Sequence, residues 1–140
     1  MRALKRRGES GVEPSGDDRA AAPHSPFAVK TGLKLVSAEA DRATGTLHVR
    51  RESLTESGIV RSDAISALVQ ATAAAAAGGQ GWESASLSDI YITFVQPAPQ
   101  HPLTAEGRVV PDDGPLRRCE VEVRDWNGDL VAKGLLSYRF

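Results

Sequence analysis

From Thr44 onward, apolar and polar residues repeat with two different periods, and each change of period marks an element. Between Thr44 and Arg50 the two kinds alternate, as in a strand with one solvated face. His48 sits within this alternation, between Leu47 and Val49, and reads as a surface or sheet-face histidine. After a polar connection over residues 51–57 the period lengthens. Ile65, Leu68, Val69 and Thr72 fall at helical spacing in a run dense in alanine, where small side chains allow another backbone to approach closely. Gly58 permits a sharp turn before this helix, and Ser62 and Asp63 are both suited to accept a first-turn amide as an N-cap. Gly78 and Gly79 suit a left-handed end, so about fifteen residues would span roughly 22 Å.

Alternation then returns. Over Ser86 to Val95 it places Ser86, Ser88, Ile90, Ile92 and Phe94 on one side, with Leu87, Asp89, Tyr91, Thr93 and Val95 on the other. Pro97 and Pro99 stop it. Three more strands are predicted at Leu103 to Val110, Leu116 to Arg124 and Leu130 to Phe140, the last two joined at Asn127-Gly128, a strong hairpin signal. The predicted order is strand, helix, then four strands in meander: a five-stranded antiparallel sheet wrapped around one helix, in the α+β class. Leu33 to Glu39 reads as a lead into the first strand, and Pro26 to Gly32 as a short helical turn that packs Phe27 and Val29 on the domain. Residues 1–24 offer almost nothing to bury, which predicts a disordered tail ahead of one domain over residues 25–140.

Composition narrows the function. The chain has 140 residues, 41% of them hydrophobic, enough for one core and too few for two. A formal net charge of -1 gives no electrostatic case for a nucleic-acid or anionic-membrane partner. No apolar run approaches the ~20 residues of a membrane span. The lone Cys119 excludes an internal disulfide and, with no signal-peptide pattern, predicts a soluble cytoplasmic protein in which Cys119 is a buried packing residue. No P-loop, dinucleotide fingerprint, zinc-type Cys/His spacing or nucleophile elbow occurs, so no metal or cofactor is expected. Trp82 and Trp126 read as covers for the core or an interface.

Gly58 and the helix after it, the run from Asp89 to Ala98, and the run from Val123 to Ala132 resemble the PaaI-like branch of the hotdog thioesterases, from Phe27 to Phe140. The resemblance implies a hotdog fold and hydrolysis of an acyl-CoA or acyl-carrier thioester. It also implies a homodimer whose sheets join edge to edge, commonly paired again into a homotetramer. The acyl slot would lie between two subunits, with the helix N-terminus of one facing the second strand region of the other.

The family pattern at the helix start is Gly-x-x-His-Gly-Gly, followed seven residues later by Asp or Glu. Here those positions hold Gly58, Arg61, Ser62, Asp63 and Gln70; the family asparagine falls at Thr55, and a helper Ser or Thr at Leu87. Glutamine can position water or bond a carbonyl but cannot act as base or nucleophile. Position for position, the amides of Ser62 and Asp63 inherit the polarisation of the thioester carbonyl. The Asp63 carboxylate has two readings, an N-cap or a relocated general base. Arg61 could bind a carboxylate, a phosphate of CoA, or Asp63 itself. Glu56, at the entry to the turn, is a second surrogate base, and Asp89 is a further candidate from the partner chain. The alternative to hydrolysis is a degenerate hotdog protein that binds acyl-CoA or serves as an oligomeric binding module.

Overall fold

The structure, a computed structural model, describes residues 32–78, 86–111 and 114–139. The expected tail, positions 26–31 of the expected helical turn, Gly79 and Trp82 lie outside them. Among the described residues, six strands and one long helix follow in the order β1 (Leu33–Glu39), β2 (Arg42–Leu47), α1 (Ser62–Gly78), β3 (Ser86–Phe94), β4 (Leu103–Val110), β5 (Leu116–Arg124) and β6 (Leu130–Arg139). A short 3-10 turn, Arg51–Ser53, precedes the helix.

Two expectations need correction. The sheet has six strands among the described residues, not five, because Leu33–Glu39 forms β1 and pairs with β2. A register shift between Leu35 and Ser37 breaks its alternation, and its second half is exposed, so little periodic signal survives. Asp41, at φ 73°, makes the tight turn between β1 and β2 in the left-handed conformation that aspartate tolerates better than most residues.

The second correction concerns topology. The strand pairings are antiparallel, but the order across the sheet is β1-β2-β4-β5-β6-β3, so only β4, β5 and β6 form a meander. β3 lies at the far edge against β6, and the chain then crosses the end of the sheet to place β4 beside β2. The crossing segment is anchored where the Val60 amide donates to the Ala98 carbonyl at 2.9 Å.

The helix lies across the middle of the sheet, and glycines in three strands make the close approach possible. A methyl group at Gly45 would sit 2.7 Å from Thr72 Oγ1, one at Gly107 3.0 Å from Thr72 Cγ2, and one at Gly134 2.6 Å from Val69 Cγ1. Thr72, fully buried, settles its hydroxyl by donating to the Leu68 carbonyl at 2.7 Å. Leu47, Leu68, Val69, Leu103, Val121, Val123, Val131 and Leu136 complete the buried core with the alanines of the helix. Cys119 is part of it, fully buried with its thiol 3.8 Å from the Ala73 carbonyl, as expected of a packing residue.

Candidate active site

The connection from β2 to α1 is folded on itself by backbone bonds. Leu54 bridges Val60, the Thr55 amide donates to the Ile59 carbonyl at 2.8 Å, and the Gly58 amide donates to the Thr55 carbonyl at 3.0 Å. Gly58 adopts φ 83° with open space where a Cβ would be, so its backbone angle, not crowding, calls for glycine. The Thr55 hydroxyl accepts from the Ile59 amide at 3.3 Å and bonds the Ser57 hydroxyl at 3.1 Å. Thr55 therefore closes the turn, and Glu56 rides exposed at its tip. The Arg61 amide then donates to the carbonyl of buried Ser53 at 2.7 Å, which fixes the angle of entry into the helix.

The helix begins at Ser62, with the Arg61 carbonyl accepting from Ala64 at 3.1 Å and Ile65 at 3.2 Å. Ser62 and Asp63 thus occupy its first two positions, one and two steps inside the cap position read for either. Their amides precede the first intrahelical bond, where the positive end of the helix dipole lies. Asp63 is gripped on two sides by one guanidinium: Arg61 Nε donates to Oδ1 at 3.0 Å and Nη2 to Oδ2 at 2.8 Å. This hydrogen-bonded pairing holds the Asp63 carboxyl below its ordinary value against a smaller opposing effect of burial, and raises the Arg61 guanidinium. Asp63 is consequently a weaker base than a free carboxylate. Of the three partners open to Arg61, the structure has it on Asp63.

Further along the helix, Gln70 is exposed, about 10 Å of rise beyond Asp63. Val69 touches Gly134 of β6 and Ala73 lies against Cys119 of β5; turning onward from those contacts, at 100° per residue, brings Ser66, Gln70 and Asp63 to the side of the helix nearest β3. Ser66, half-buried, is a site candidate that sequence reasoning passed over. Its spacing, three residues after Asp63 and four before Gln70, was the available signal.

On that side of the helix, beyond β6, lies the helix-side surface of β3. Ile92 packs on the core, but Ile90 and Phe94 on the same face keep 37% and 47% of their surface exposed. Leu87 joins them and not Asp89. A register shift between Leu87 and Asp89 sets Leu87 opposite Tyr138, which packs on the core, and this corrects the side predicted for it from simple alternation. Asp89 and Tyr91, paired with Ser137 and Leu135, point to the opposite face of the sheet from the helix. The structure thus gathers Gly58, Arg61, Ser62 and Asp63 at the helix start, with Gln70 and Ser66 along one side. It leaves Thr55 and Glu56 in the turn and Asp89 on the far face.

No family model and no curated protein sequence matches the chain. Solved structures do. AziG of S. sahachiroi superposes with a TM-score of 0.71 at 25% identity, over 81% of this chain and 94% of that one. The E. coli PaaI protein from the phenylacetic acid degradation operon gives 0.75 at 20% identity, over 89% and 95%. The fold is the hotdog fold. Zebrafish thioesterase superfamily member 2 shares it at a TM-score of 0.71 and 17% identity, over 86% of this chain and 90% of that one. The fold expectation therefore stands, with a sixth strand added to the hotdog sheet.

Proposed function

We propose that this hotdog protein hydrolyses an acyl-CoA or acyl-carrier thioester at the start of α1, using a site without the usual carboxylate at position 70. The observation that carries this reading is the juxtaposition of first-turn helix amides, a polar helix side and an uncovered apolar strand face. The amides of Ser62 and Asp63 would polarise the thioester carbonyl, and Gln70 would position water or substrate. Asp63, once its pair with Arg61 opens, or Glu56 would take the proton. The apolar face of β3 would receive the acyl group.

The site reads as incomplete in one chain. β3 is a nine-residue edge strand with Leu87, Ile90, Tyr91 and Phe94 exposed. The other edge, β1, is interrupted by its register shift and carries the exposed charges Lys34 and Glu39, which discourages pairing. Antiparallel pairing of two β3 strands would set the partner's Leu87 near the end of the sheet that carries the helix N-terminus, forming a homodimer or a dimer of dimers in the cytoplasm.

A second reading, a degenerate module that binds acyl-CoA without hydrolysing it, is favoured by one observation: Gln70 carries no charge and Arg61 neutralises Asp63. Free-thiol release from short, long and aromatic acyl-CoAs separates the two. Under the hydrolase reading Gln70→Ala lowers turnover about tenfold or more, the scale of one hydrogen bond lost at the reacting group. Saturable CoA binding with no turnover of any acyl group sinks hydrolysis and leaves the binding module.

A further inference from the structure

The end of the sheet that carries the helix N-terminus also carries an aromatic pair that the proposed chemistry does not use. Trp126 sits at the tip of the β5–β6 hairpin, 63% exposed, beside the His101 ring at a centroid separation of 4.7 Å and a tilt of 40°. The backbone that carries both rings is tied down. Asp125 Oδ1 accepts from the amides of Asn127 and Asp129, each at 2.9 Å, and Arg124 donates to the Gly128 carbonyl at 3.1 Å, so the hairpin tip is bonded throughout. The His101 amide donates to the Pro99 carbonyl at 2.7 Å. The segment holding His101 is tied to the hairpin where Gln96 Nε2 donates to the Leu130 carbonyl at 2.9 Å. The same segment is tied to the helix entry by the bond from Val60 to Ala98.

An indole that meets one neighbouring ring at a tilt and stays 63% exposed, on a bonded turn, is poorly explained by core packing. Aromatics make up only 5% of the chain, and Trp126 is not among the residues of the hydrophobic core. Such a ring is a stacking surface for a planar partner. Purine bases stack on indole through their π-faces without needing hydrogen-bond partners.

Resting on the thioester reading above, we infer that Trp126, backed by His101, stacks the adenine base of the carrier, so that the substrate is a coenzyme A thioester and not a thioester of a carrier protein. The helix start would hold the thioester and the hairpin tip the nucleotide end of the same molecule. Trp126 is on this account a binding residue that touches the carrier and no reacting atom.

The test uses the full chain, wild type, Trp126→Ala and Trp126→Phe, with adenosine 3′,5′-bisphosphate as the probe of the nucleotide end alone. Calorimetry should show the probe binding to wild type, about five- to tenfold more weakly to Trp126→Ala, and at intermediate strength to Trp126→Phe, which keeps a stacking ring. For one acyl group presented on CoA and on N-acetylcysteamine, the ratio of the two kcat/KM values should fall about tenfold in Trp126→Ala, mainly through KM for the CoA ester. Equal probe binding by wild type and Trp126→Ala overturns the inference. So does a wild type that turns over the two esters equally, or a Trp126→Ala defect seen with an acyl carrier protein and not with CoA. Failure of the hydrolase reading is separate: no ester is then cleaved, while the calorimetric comparison still decides the base site.

Discussion

Gly134→Ala adds one methyl group to β6 beneath the helix, and the structure sets what that methyl meets. Its position lies 2.6 Å from Val69 Cγ1, 3.5 Å from Leu136 Cδ1 and 3.7 Å from the Tyr91 carbonyl oxygen. Carbon atoms pack comfortably at about 3.5–4.0 Å, so Val69 must retreat by about 1 Å. Rotation about χ1 offers little relief, because valine in a helix is held to one strongly preferred rotamer. Nor can the helix slide toward β2 and β4, since Thr72 already sits against Gly45 and Gly107. Overpacking of this kind costs about 1–3 kcal/mol. Gly134 does not have a positive φ, so alanine also gains about 0.4–1 kcal/mol by restricting the unfolded chain. The net loss is about 1–2 kcal/mol, a fall in Tm of about 4–8 °C for a domain of this size. Val69→Ala alone leaves a cavity and costs about 2 kcal/mol. In the double variant the new methyl enters the space that Val69 vacates, so the two losses should not add, with a coupling of about 1 kcal/mol or more. Urea denaturation of all four proteins, with unchanged m-values, measures this coupling. Additive losses, or a Gly134→Ala protein as stable as wild type, would refute the claim that glycine is present for the close approach of the helix.

Three further outcomes follow from the same geometry. The Asp63 carboxyl is depressed by Arg61, so its contribution to stability is present above the ordinary carboxylate range and is lost as pH falls through its folded value; the urea midpoints of wild type and Asp63→Asn should differ near neutrality and converge in acid, and a gap that persists in acid would refute the pairing. Burial pushes the Cys119 thiol up to about 12 from 9.0 and the Tyr138 hydroxyl up to about 12 from 10.0, so across that range the unfolded chain sheds protons that the folded one keeps. Stability should therefore fall as pH rises from about 9 toward about 12, less steeply in Cys119→Ala; fast reaction of Cys119 with a thiol reagent in the native protein would contradict its burial. Ile90→Lys places a charge midway along β3 and should give a monomer by light scattering at micromolar concentration, whereas an unchanged oligomer mass would rule out this edge as the interface.

The residues whose roles depend on their own backbone were the readable ones. Gly58 announces a sharp turn, and φ 83° is what the turn demands. The helix declares itself through Ile65, Leu68, Val69 and Thr72, all of them buried against the sheet. β1 was missed because its register shift after Leu35 hides the alternation that would have revealed it. The same device at Ser88 turned Leu87 to the helix side of β3, against the period of the sequence. The position of β3 itself was beyond local patterning, since Pro97 and Pro99 end a strand without saying which neighbour the next strand will take.

The candidate site divides along the same line. Arg61 and Asp63 stand two residues apart, so their pairing was one of three partners that sequence allowed for Arg61, and short-range geometry selected it. Gln70 and Ser66 depend on where the rest of the chain lies: the wall on their side of the helix is β3, placed beyond β6 with Ile90 and Phe94 part-exposed. Had β3 followed in a meander beside β4, the same helix side would have faced a different wall. A substitution that moves β3 should therefore disturb Gln70 more than it disturbs the Arg61–Asp63 pair. In this protein the arrangement at the helix start is a local property of residues 58–63, and the apolar wall on the β3 side is a consequence of topology.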